Sequence, residues 1–322
     1  MTVATARAHP NIALVKYWGK RDEQLMLPAA GSLSLTLDVL PTTTTVELDP
    51  QATRDALELN GSAATPVQLA RVERLLALVR ERAGSDVFTR VRSHNVAPTG
   101  AGLASSASGF AALATAAAAA YGLDLDARAL SALARRGSGS ASRSIAPGLA
   151  VWRAGEDDAT SVAEPIAGPD IRMVVVTVDR AAKPLSSREG MRLTALTSPF
   201  YDAWVSSTAE TLEAAEAACR DDDFTRLGRI AESHALRMHA VIQSADPPIR
   251  YLGSRGTAVF EEIERLRGEG IEAYATADAG PNVVAITRPD DAERVARALA
   301  PFGETLIAGP GPGAHLVDEA VA

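Results

Sequence analysis

The sequence contains little cysteine and histidine, and each shortage excludes a class of site. Cys219 is the only cysteine among 322 residues, so the chain forms no internal disulfide and no zinc site built on cysteines. Its alanine-rich, acidic surroundings are typical of a helix, and we interpret Cys219 as a small buried side chain rather than a nucleophile. The five histidines do not cluster. His234 and His239 lie on different faces of a predicted helix, which makes them poor joint metal ligands.

Basic residues and long apolar runs are also scarce. The net charge of −8 and the pI near 5.3 argue against a general surface for nucleic acid or anionic membranes, because both reward a basic face. The longest stretch of low polarity covers about fifteen residues, mostly alanine, and is too short to span a bilayer. The N-terminus lacks a basic start followed by an apolar stretch, so we expect no signal peptide. A cytoplasmic, enzyme-like protein without nucleic-acid or membrane partners is the expectation.

The apolar patterns predict a strand-rich first half and a second half of mixed helices and strands. Alternation over residues 32–49 predicts two strands broken at Pro41. Apolar spacing over 65–84 predicts a helix that ends at Gly84. The remaining predictions are strands at 86–97, 148–155 and 170–180, helices at 106–122, 127–137, 256–270 and 292–303, helices within 198–245 split near Asp221–Asp223, two strands within 272–289, and one closing strand within 304–318. We expect two domains, 1–180 and 181–322.

A glycine- and serine-rich stretch, NVAPTGAGLASSASGF (95–110), separates a predicted strand from a predicted helix. Free amide groups and the helix dipole favour anions at a helix start. The small side chains would let a polyanion approach, and Ser105, Ser106 and Ser108 offer hydroxyls to phosphate oxygens or a metal. No Gly-Lys-Ser/Thr closes the stretch, so it is not a Walker A loop. A close contact between helix and sheet, with serine caps, explains the composition equally well.

A second small-residue stretch, RRGSGSASRS (135–144), contains three arginines. The planar fork of arginine suits carboxylate or phosphate groups. We interpret Arg135 and Arg136 as solvated side chains at a helix C-cap near Gly137. Arg143 sits among small residues, where a solvated side chain is a less convincing interpretation.

Two further stretches leave a structural and a functional interpretation open. Lys16, Lys20 and Arg21 flank two aromatic residues, which is typical of a ligand pocket and equally of core packing with snorkelling lysines. Asp278 precedes Gly280 after an apolar strand. A carboxylate there is usually a turn former, and a general base would need a reacting hydroxyl within hydrogen-bond reach.

Taken in order, NIALVKYWGKRD, PTGAGLASSASGFAAL, GSGSASRS, SSREGM and TADAGPN resemble the diphosphomevalonate (mevalonate diphosphate) decarboxylase family of the GHMP kinase superfamily. The resemblance covers about residues 7–315. The serine-rich loop is shared across the superfamily, whereas the combination of KYWGK, GSGSASRS and DAGPN is more specific. The resemblance implies an α+β, two-domain GHMP-kinase-like fold, with an N-terminal ribosomal protein S5 domain 2-like domain, a C-terminal ferredoxin-like domain, and the active site between them.

The resemblance further implies ATP-dependent decarboxylation of mevalonate 5-diphosphate to isopentenyl diphosphate, with ATP and Mg²⁺ as cofactors and a homodimer as the assembly. It assigns catalysis to Asp278, beside the C3 hydroxyl, to Arg143, on the substrate carboxylate, and to Lys20. The implied substrate-binding residues are Tyr17, Lys20, Ser138, Ser140, Arg143, Ser187, Arg188 and Met191. The implied ATP-binding residues are Ser93, Asn95, Gly100, Gly102, Leu103, Ala104, Ser105 and Ser106, with Ser106 also near the magnesium.

Three alternatives stay open at this point. Two lie within the superfamily: a small-molecule kinase that stops after phosphorylation, and a decarboxylase that acts on mevalonate 5-phosphate. The third is a non-catalytic ATP or polyanion sensor on the same scaffold. A sensor has no need for a base that faces a carboxylate clamp, so Asp278 and Arg143 speak against it.

Overall fold

The predicted helices all appear in the structure, which also contains a helix at 187–197 and strands at 3–8, 11–15, 20–22, 27–28, 56–59, 62–63 and 163–165 that the sequence patterns did not predict. The structure is a computed structural model that describes residues 3–96, 105–180 and 185–318, and for Ser105 the backbone alone. The strands are β1 Val3–Ala8, β2 Asn11–Val15, β3 Lys20–Asp22, β4 Leu27–Pro28, β5 Ser32–Thr36, β6 Thr42–Asp49, β7 Ala56–Leu59, β8 Ser62–Ala63, β9 Phe88–Asn95, β10 Leu149–Trp152, β11 Ala163–Pro165, β12 Arg172–Thr177, β13 Ala273–Thr276, β14 Val283–Thr287, β15 Glu304–Ala308 and β16 His315–Val317. The α-helices are α1 Pro66–Ala83, α2 Ser105–Ala120, α3 Ala127–Gly137, α4 Ser187–Thr197, α5 Tyr201–Arg220, α6 Phe224–Gln243, α7 Ser254–Gly268 and α8 Ala292–Leu299, with 3-10 helices at Gly139–Ile145, Pro289–Asp291 and Ala300–Phe302.

Strands of the first half of the chain, together with β16 from the second half, build a sheet that shares one core with α1, α2 and α3. Its strand order is β16-β1-β6-β9-β7-β8, with antiparallel pairs except for the parallel pair β7–β9. The alanine-rich helix α2 packs directly on β1 and β6. All its alanines except Ala119 are almost fully buried, and their short side chains let the helix lie close to the sheet, where a larger side chain would force it away.

Two further sheets connect the first half to the second. The sheet β11-β10-β5-β2 packs against α5 and α6, and its core contains residues of β12 and β14 as well. The antiparallel sheet β13-β14-β12-β15 carries α6, α7 and α8. Strand β12 pairs with β14 and β15, and β16 pairs with β1. The chain therefore crosses between the halves on both sides of residue 180, and the domain division at 180/181 stays a prediction.

Local signals explain the elements that the sequence predicted correctly. Thr65 forms a capping box with Gln68 at the start of α1, and Gly84 ends that helix in the left-handed conformation with φ 59°. The strand break at Pro41 and the helix break at Asp221–Asp223 are both confirmed. The prediction of a single closing strand within 304–318 is wrong. Strands β15 and β16 belong to different sheets and are joined by a glycine- and proline-rich segment, residues 309–314.

The interpretation of Arg135 as a solvated side chain is also wrong. Its side chain is 0% exposed. The guanidinium donates to the Leu25 carbonyl at 3.1 Å, to the Ser161 carbonyl and to the Asp158 carboxylate. The arginine thus ties α3 to two loops. A helical arginine looks solvated in the sequence because its three partners lie far along the chain.

Within the part of the chain that the structure describes, no helix is both long enough and apolar enough to cross a membrane.

A glycine in α6 provides a test of how closely α6 packs on β13. A Cβ on Gly228 would lie 2.1 Å from Cδ2 of Tyr274, which stands on β13. We expect Gly228→Ala to lower the free energy of unfolding by about 1–3 kcal/mol through overpacking, as measured by denaturant unfolding.

Gly268→Ala is the matched control, since a Cβ at this helical glycine would meet nothing within 4 Å. Its unfolding free energy should stay within about 0.5 kcal/mol of the parent or rise slightly. Equal stability of the two variants would contradict the tight packing of α6 on β13.

Candidate active site

A cavity of about 620 Å³ lies between residues of the first and second halves of the chain. The residues that the sequence analysis assigned to substrate binding and catalysis all line this cavity. They are Tyr17, Lys20, Ser138, Ser140, Arg143, Ser187, Arg188, Met191 and Asp278. The structure therefore brings the predicted residues to one place, while their individual roles stay predictions.

A second cavity, of about 420 Å³, lies beside the first and is lined in part by residues predicted to bind ATP. Ser93 and Asn95 of β9 and Ser106 of α2 border it. Ser106 and Arg71 line both cavities, so the two spaces adjoin at these residues. The predicted ATP-binding residues Gly100, Gly102, Leu103 and Ala104 lie outside the described residues, and Ser105 is described by its backbone alone.

The carboxylate of Asp278 is paired with a buried lysine from the other half of the chain. Lys16 Nζ lies 2.6 Å from Asp278 Oδ1 and also donates to the Ala13 carbonyl at 2.7 Å. The Lys16 side chain is 1% exposed and that of Asp278 is 26% exposed. Burial lowers the pKa of Lys16, and the adjacent Asp278 carboxylate opposes that shift. Both residues line the cavity, and Asp278 is by far the more exposed of the two.

The alternative interpretation, in which the Asp278 carboxylate forms the turn, is not what the structure shows: the main chain of Asp278 forms it. The Gly280 amide donates to the Asp278 carbonyl at 2.7 Å, in the turn between β13 and β14. The main chain makes the turn while the carboxylate faces the cavity. Sequence reasoning placed Lys20 in catalysis and missed the pairing of Lys16. The presence of two lysines in KYWGK was the one available signal, and it did not distinguish them.

Arg143 is held in a fixed orientation by two residues that sequence reasoning also missed. Its Nε donates to Asn11 Oδ1 at 3.0 Å and its Nη1 donates to Ser32 Oγ at 2.8 Å. Asn11 is itself fixed, because its amide donates to the Ser140 carbonyl and to Ser144 Oγ. Burial lowers the pKa of Arg143 to about 10, so the guanidinium stays charged at neutral pH. A buried, oriented cation suits one small carboxylate.

Tyr17 offers a buried hydroxyl on the cavity wall. Its ring lies edge-on to Trp152 with centroids 4.8 Å apart. The hydroxyl is buried and has no hydrogen-bond partner among the residues that the structure describes. A Cβ on Gly139 would lie 2.7 Å from that hydroxyl, so glycine is needed for the close approach. A buried polar atom without a protein partner is suited to a ligand group.

Three cations stand close together on the same wall. Burial, with Arg188 as the next cause, lowers the pKa of both Lys20 and Arg71, to about 10 for Arg71. Arg71 donates to the Gly137 carbonyl at 3.3 Å and lies over the Phe110 ring at 4.8 Å, while its Nε is buried without a partner in the described part of the chain. Like charges held together favour a polyanionic ligand. Arg71 escaped sequence reasoning because it resembles an ordinary residue of an amphipathic helix.

The donor set where the cavities adjoin fits a nucleotide-bound magnesium ion. Among the described residues there is no group of three or more His, Cys, Asp or Glu that could hold a metal. Mg²⁺ in phosphate sites takes most ligands from phosphate and water and few from protein. The Ser106 hydroxyl, 3.3 Å from Ser138 Oγ, is exposed at this place and could supply one such ligand.

Comparison with known proteins identifies one family over nearly the whole chain. Residues 8–163 match the family model described as diphosphomevalonate decarboxylase-like N-terminal domain. Residues 173–306 match the one described as mevalonate 5-diphosphate decarboxylase C-terminal domain. The diphosphomevalonate decarboxylase of Ganoderma lucidum is 37% identical over 93% of this chain and 82% of its own length.

Solved structures agree with the family models. The mevalonate diphosphate decarboxylase of Staphylococcus aureus has 39% sequence identity and a TM-score of 0.95 over 98% of both chains. The protein MDDEF, in complex with MVAPP, AMPPCP and magnesium, has 42% identity and a TM-score of 0.94 over 99% of both chains. This likeness confirms the predicted α+β, two-domain GHMP-kinase-like fold.

Two buried histidines of α6 predict how stability depends on pH. Burial lowers the pKa of His234 to about 3 and that of His239 to about 4, from an ordinary value of 6.5. Below pH 6.5 the two histidines become protonated in the unfolded chain, whereas in the folded chain they stay neutral. The associated stability is therefore complete above about pH 7 and is lost as the pH falls, by about 2 kcal/mol per histidine at pH 5.

We expect His239→Gln to weaken the loss of stability between pH 7 and pH 5, because one of the two groups that bind protons only after unfolding is removed. Denaturant unfolding at a series of pH values measures this dependence. His94→Gln is the control, since His94 is exposed on β9. The same pH dependence in His239→Gln and in the control would contradict the burial argument.

Proposed function

Because the chain belongs to the diphosphomevalonate decarboxylase family, we propose that it converts mevalonate 5-diphosphate and ATP to isopentenyl diphosphate, ADP, phosphate and CO₂. This is the decarboxylation step of the mevalonate pathway of isoprenoid biosynthesis. The observation that carries the proposal is the Lys16-paired Asp278 carboxylate in the same cavity as the oriented guanidinium of Arg143. One small acid with a hydroxyl and a carboxylate can engage both groups.

The charged ends of the substrate match the charges on the cavity wall. We assign the diphosphate to the cluster of Lys20, Arg71 and Arg188, since closely spaced cations gain most from a multiply charged anion. We assign the carboxylate to Arg143, whose two contacts with Asn11 and Ser32 hold the guanidinium plane. The remaining implied contacts are proposed for Tyr17, Ser138, Ser140, Ser187 and Met191.

ATP is the second substrate, and magnesium accompanies it. We assign the nucleoside to the smaller cavity, which Ser93 and Asn95 border beside apolar side chains such as Phe110. The triphosphate would then pass Ser106 and Arg71, where the two cavities adjoin. Ser106 would hold the accompanying magnesium there, where the ion would neutralise charge on the phosphates.

Asp278 orients the tertiary C3 hydroxyl and receives its proton as the hydroxyl oxygen takes the γ-phosphoryl group of ATP. Phosphoryl transfer depends mainly on positioning and charge stabilisation. Lys16 supplies the positioning on the enzyme side, because its ammonium holds Asp278 Oδ1 at 2.6 Å and balances the carboxylate charge. The Asp278 carboxylate therefore keeps its orientation, and its charge is balanced, when the substrate hydroxyl binds beside it.

Phosphorylation turns a poor leaving group into a good one. The C3–O bond breaks with both electrons leaving on phosphate, and positive charge develops at the tertiary carbon. The bond to the carboxylate then breaks, CO₂ departs, and its electron pair forms the alkene. A carboxylate beside the developing cation stabilises it, and Asp278 takes that second role once it has passed the C3 proton on to solvent and is ionised again. Arg143 orients the carboxylate before it departs.

Two finer predictions about the whole protein accompany this function. The homodimer implied by the resemblance stays a prediction, to be measured by sedimentation. The cytoplasmic location also stays a prediction.

The direct test is coupled release of ADP and CO₂ from mevalonate 5-diphosphate by the wild type and by Asp278→Asn. We expect one ADP and one CO₂ per turnover, and a fall in kcat of about 10²–10⁴-fold in the variant as the proton acceptor is lost. Nucleotide and substrate should still bind. Asp290→Asn, which changes an exposed carboxylate, is the control.

The products also separate the alternatives. ADP release without CO₂ would identify a kinase, and preference for mevalonate 5-phosphate would identify the monophosphate decarboxylase. No phosphate release with any mevalonate-type substrate would identify the sensor. A normal rate in Asp278→Asn would remove Asp278 from the mechanism.

Arg143→Lys tests the carboxylate clamp while keeping the positive charge. Lysine cannot reach Asn11 and Ser32 together, so the cation loses its orientation. We expect KM for the mevalonate substrate to rise about 10- to 100-fold, the cost of one to two charge-assisted hydrogen bonds. KM for ATP should stay unchanged. Arg153→Lys, which changes an exposed arginine paired with Glu216, is the control. Unchanged substrate KM in Arg143→Lys would contradict the assignment.

A further inference from the structure

The backbone of Lys16 is held by a histidine from the second half of the chain. The Lys16 amide donates to His234 Nδ1 at 2.9 Å, and the His234 side chain is 0% exposed. Lys16 directly follows β2, which is the last strand in the order β11-β10-β5-β2. An amide beyond the end of an edge strand has no ladder partner there, and a buried one must find an acceptor elsewhere. His234 supplies that acceptor.

The hydrogen bonds around the ring define its tautomer. Because Lys16 N–H is a donor, Nδ1 of His234 must be the unprotonated acceptor nitrogen. Nε2 therefore carries the proton and donates to Thr208 Oγ1 at 3.2 Å, while the Thr208 hydroxyl donates to the Trp204 carbonyl at 2.7 Å. The ring is thus neutral and held at both nitrogens, as its burial also favours.

The same helix pair holds the segment at a second point. The Trp204 ring lies beside the His234 ring with centroids 4.6 Å apart. Its Nε1–H donates to the Trp18 carbonyl at 2.8 Å. Helices α5 and α6 therefore fix the main chain at Lys16 and again two residues later. The Lys16 side chain then extends from a defined origin to Asp278 and to the Ala13 carbonyl.

We propose that neutral His234 is a positioning residue for the reaction: by accepting the Lys16 amide it sets the place of the ammonium that holds Asp278. The inference rests on the proposed function for its catalytic consequence. His234 itself touches no substrate group and acts through Lys16. Misplacing a catalytic group by about 1 Å can cost about 10²-fold in rate, so an effect on kcat rather than on binding is expected.

Two substitutions separate the two ring nitrogens. The Oδ1 of asparagine can occupy the place of Nδ1, so His234→Asn keeps an acceptor for the Lys16 amide and loses the contact with Thr208. The longer His234→Gln places its amide near Nε2, so it keeps a partner for Thr208 and loses the acceptor for Lys16. We expect kcat to fall about 10- to 100-fold in His234→Gln and by less than about threefold in His234→Asn, with the KM values for both substrates changed less than kcat.

Fold stability is the first control, since both variants lose one hydrogen bond and similar volume. Equal melting temperatures with unequal kcat would support positioning over general destabilisation. The proposal would be overturned if kcat were equal in the two variants, or if it fell further in His234→Asn than in His234→Gln.

Two measurements decide the proposal without turnover. A crystal structure of His234→Gln should show Lys16 Nζ displaced from its 2.6 Å contact with Asp278 Oδ1, and an undisturbed contact would overturn the proposal. Imidazole ¹⁵N spectra of the wild type should show Nδ1 unprotonated at neutral pH, and a protonated Nδ1 would overturn it even if the Gln variant fails to fold. A wild type inactive on mevalonate 5-diphosphate contradicts the proposed function instead, and leaves these two readouts valid.

Discussion

The ion pair between Lys16 and Asp278 is the contact on which the geometry of the cavity depends. Its residues are 262 positions apart and come from different halves of the chain. A lysine that is 1% exposed needs a partner, because an unpaired buried charge costs several kcal/mol. That partner becomes available only when the turn after β13 is docked against the end of β2. The requirement to pair the buried ammonium thus places a carboxylate at the cavity wall, where a substrate hydroxyl can reach it.

Apart from this pair, the described residues that line the cavity carry more positive than negative charge, with Lys20, Arg71, Arg143 and Arg188 against Glu189. Lys20, Arg71 and Arg188 stand near enough for one to disfavour the charged form of another. Such an arrangement opposes folding slightly and favours an anion strongly. Binding of diphosphate and triphosphate groups would relieve the repulsion, so ligands should stabilise the folded state in proportion to their occupancy. The same clustered cations therefore repel one another in the free protein and attract the phosphate groups of the ligands.

Several residues supported a structural and a functional interpretation in the sequence. The structure shows their packing and their place at the cavity, and their functional roles stay predictions. The segment from Lys16 to Trp18 packs in the core and also lines the cavity. Asp278 forms a turn with its main chain and an ion pair with its side chain. Arg71 was missed because nothing near it in the sequence distinguishes it from an ordinary helix residue, and Asn11, although it begins the motif NIALVKYWGKRD, was missed because its partner Arg143 lies far along the chain. The catalytic and binding roles themselves stay predictions until the variants are measured.

The sequence by itself determined most of the helices, about half of the strands, the family, and many of the residues that line one cavity. Helix caps and apolar periods act over a few positions, as Thr65 and Gly84 do at the ends of α1, so they can be recognised locally. Only the tertiary structure decided which charged group meets which. Arg143 lies 132 positions from Asn11 and 111 from Ser32, and Lys16 is held by residues from α6 and the β13–β14 turn. Such pairings depend on how whole sheets and helices pack together, and no local pattern encodes that packing.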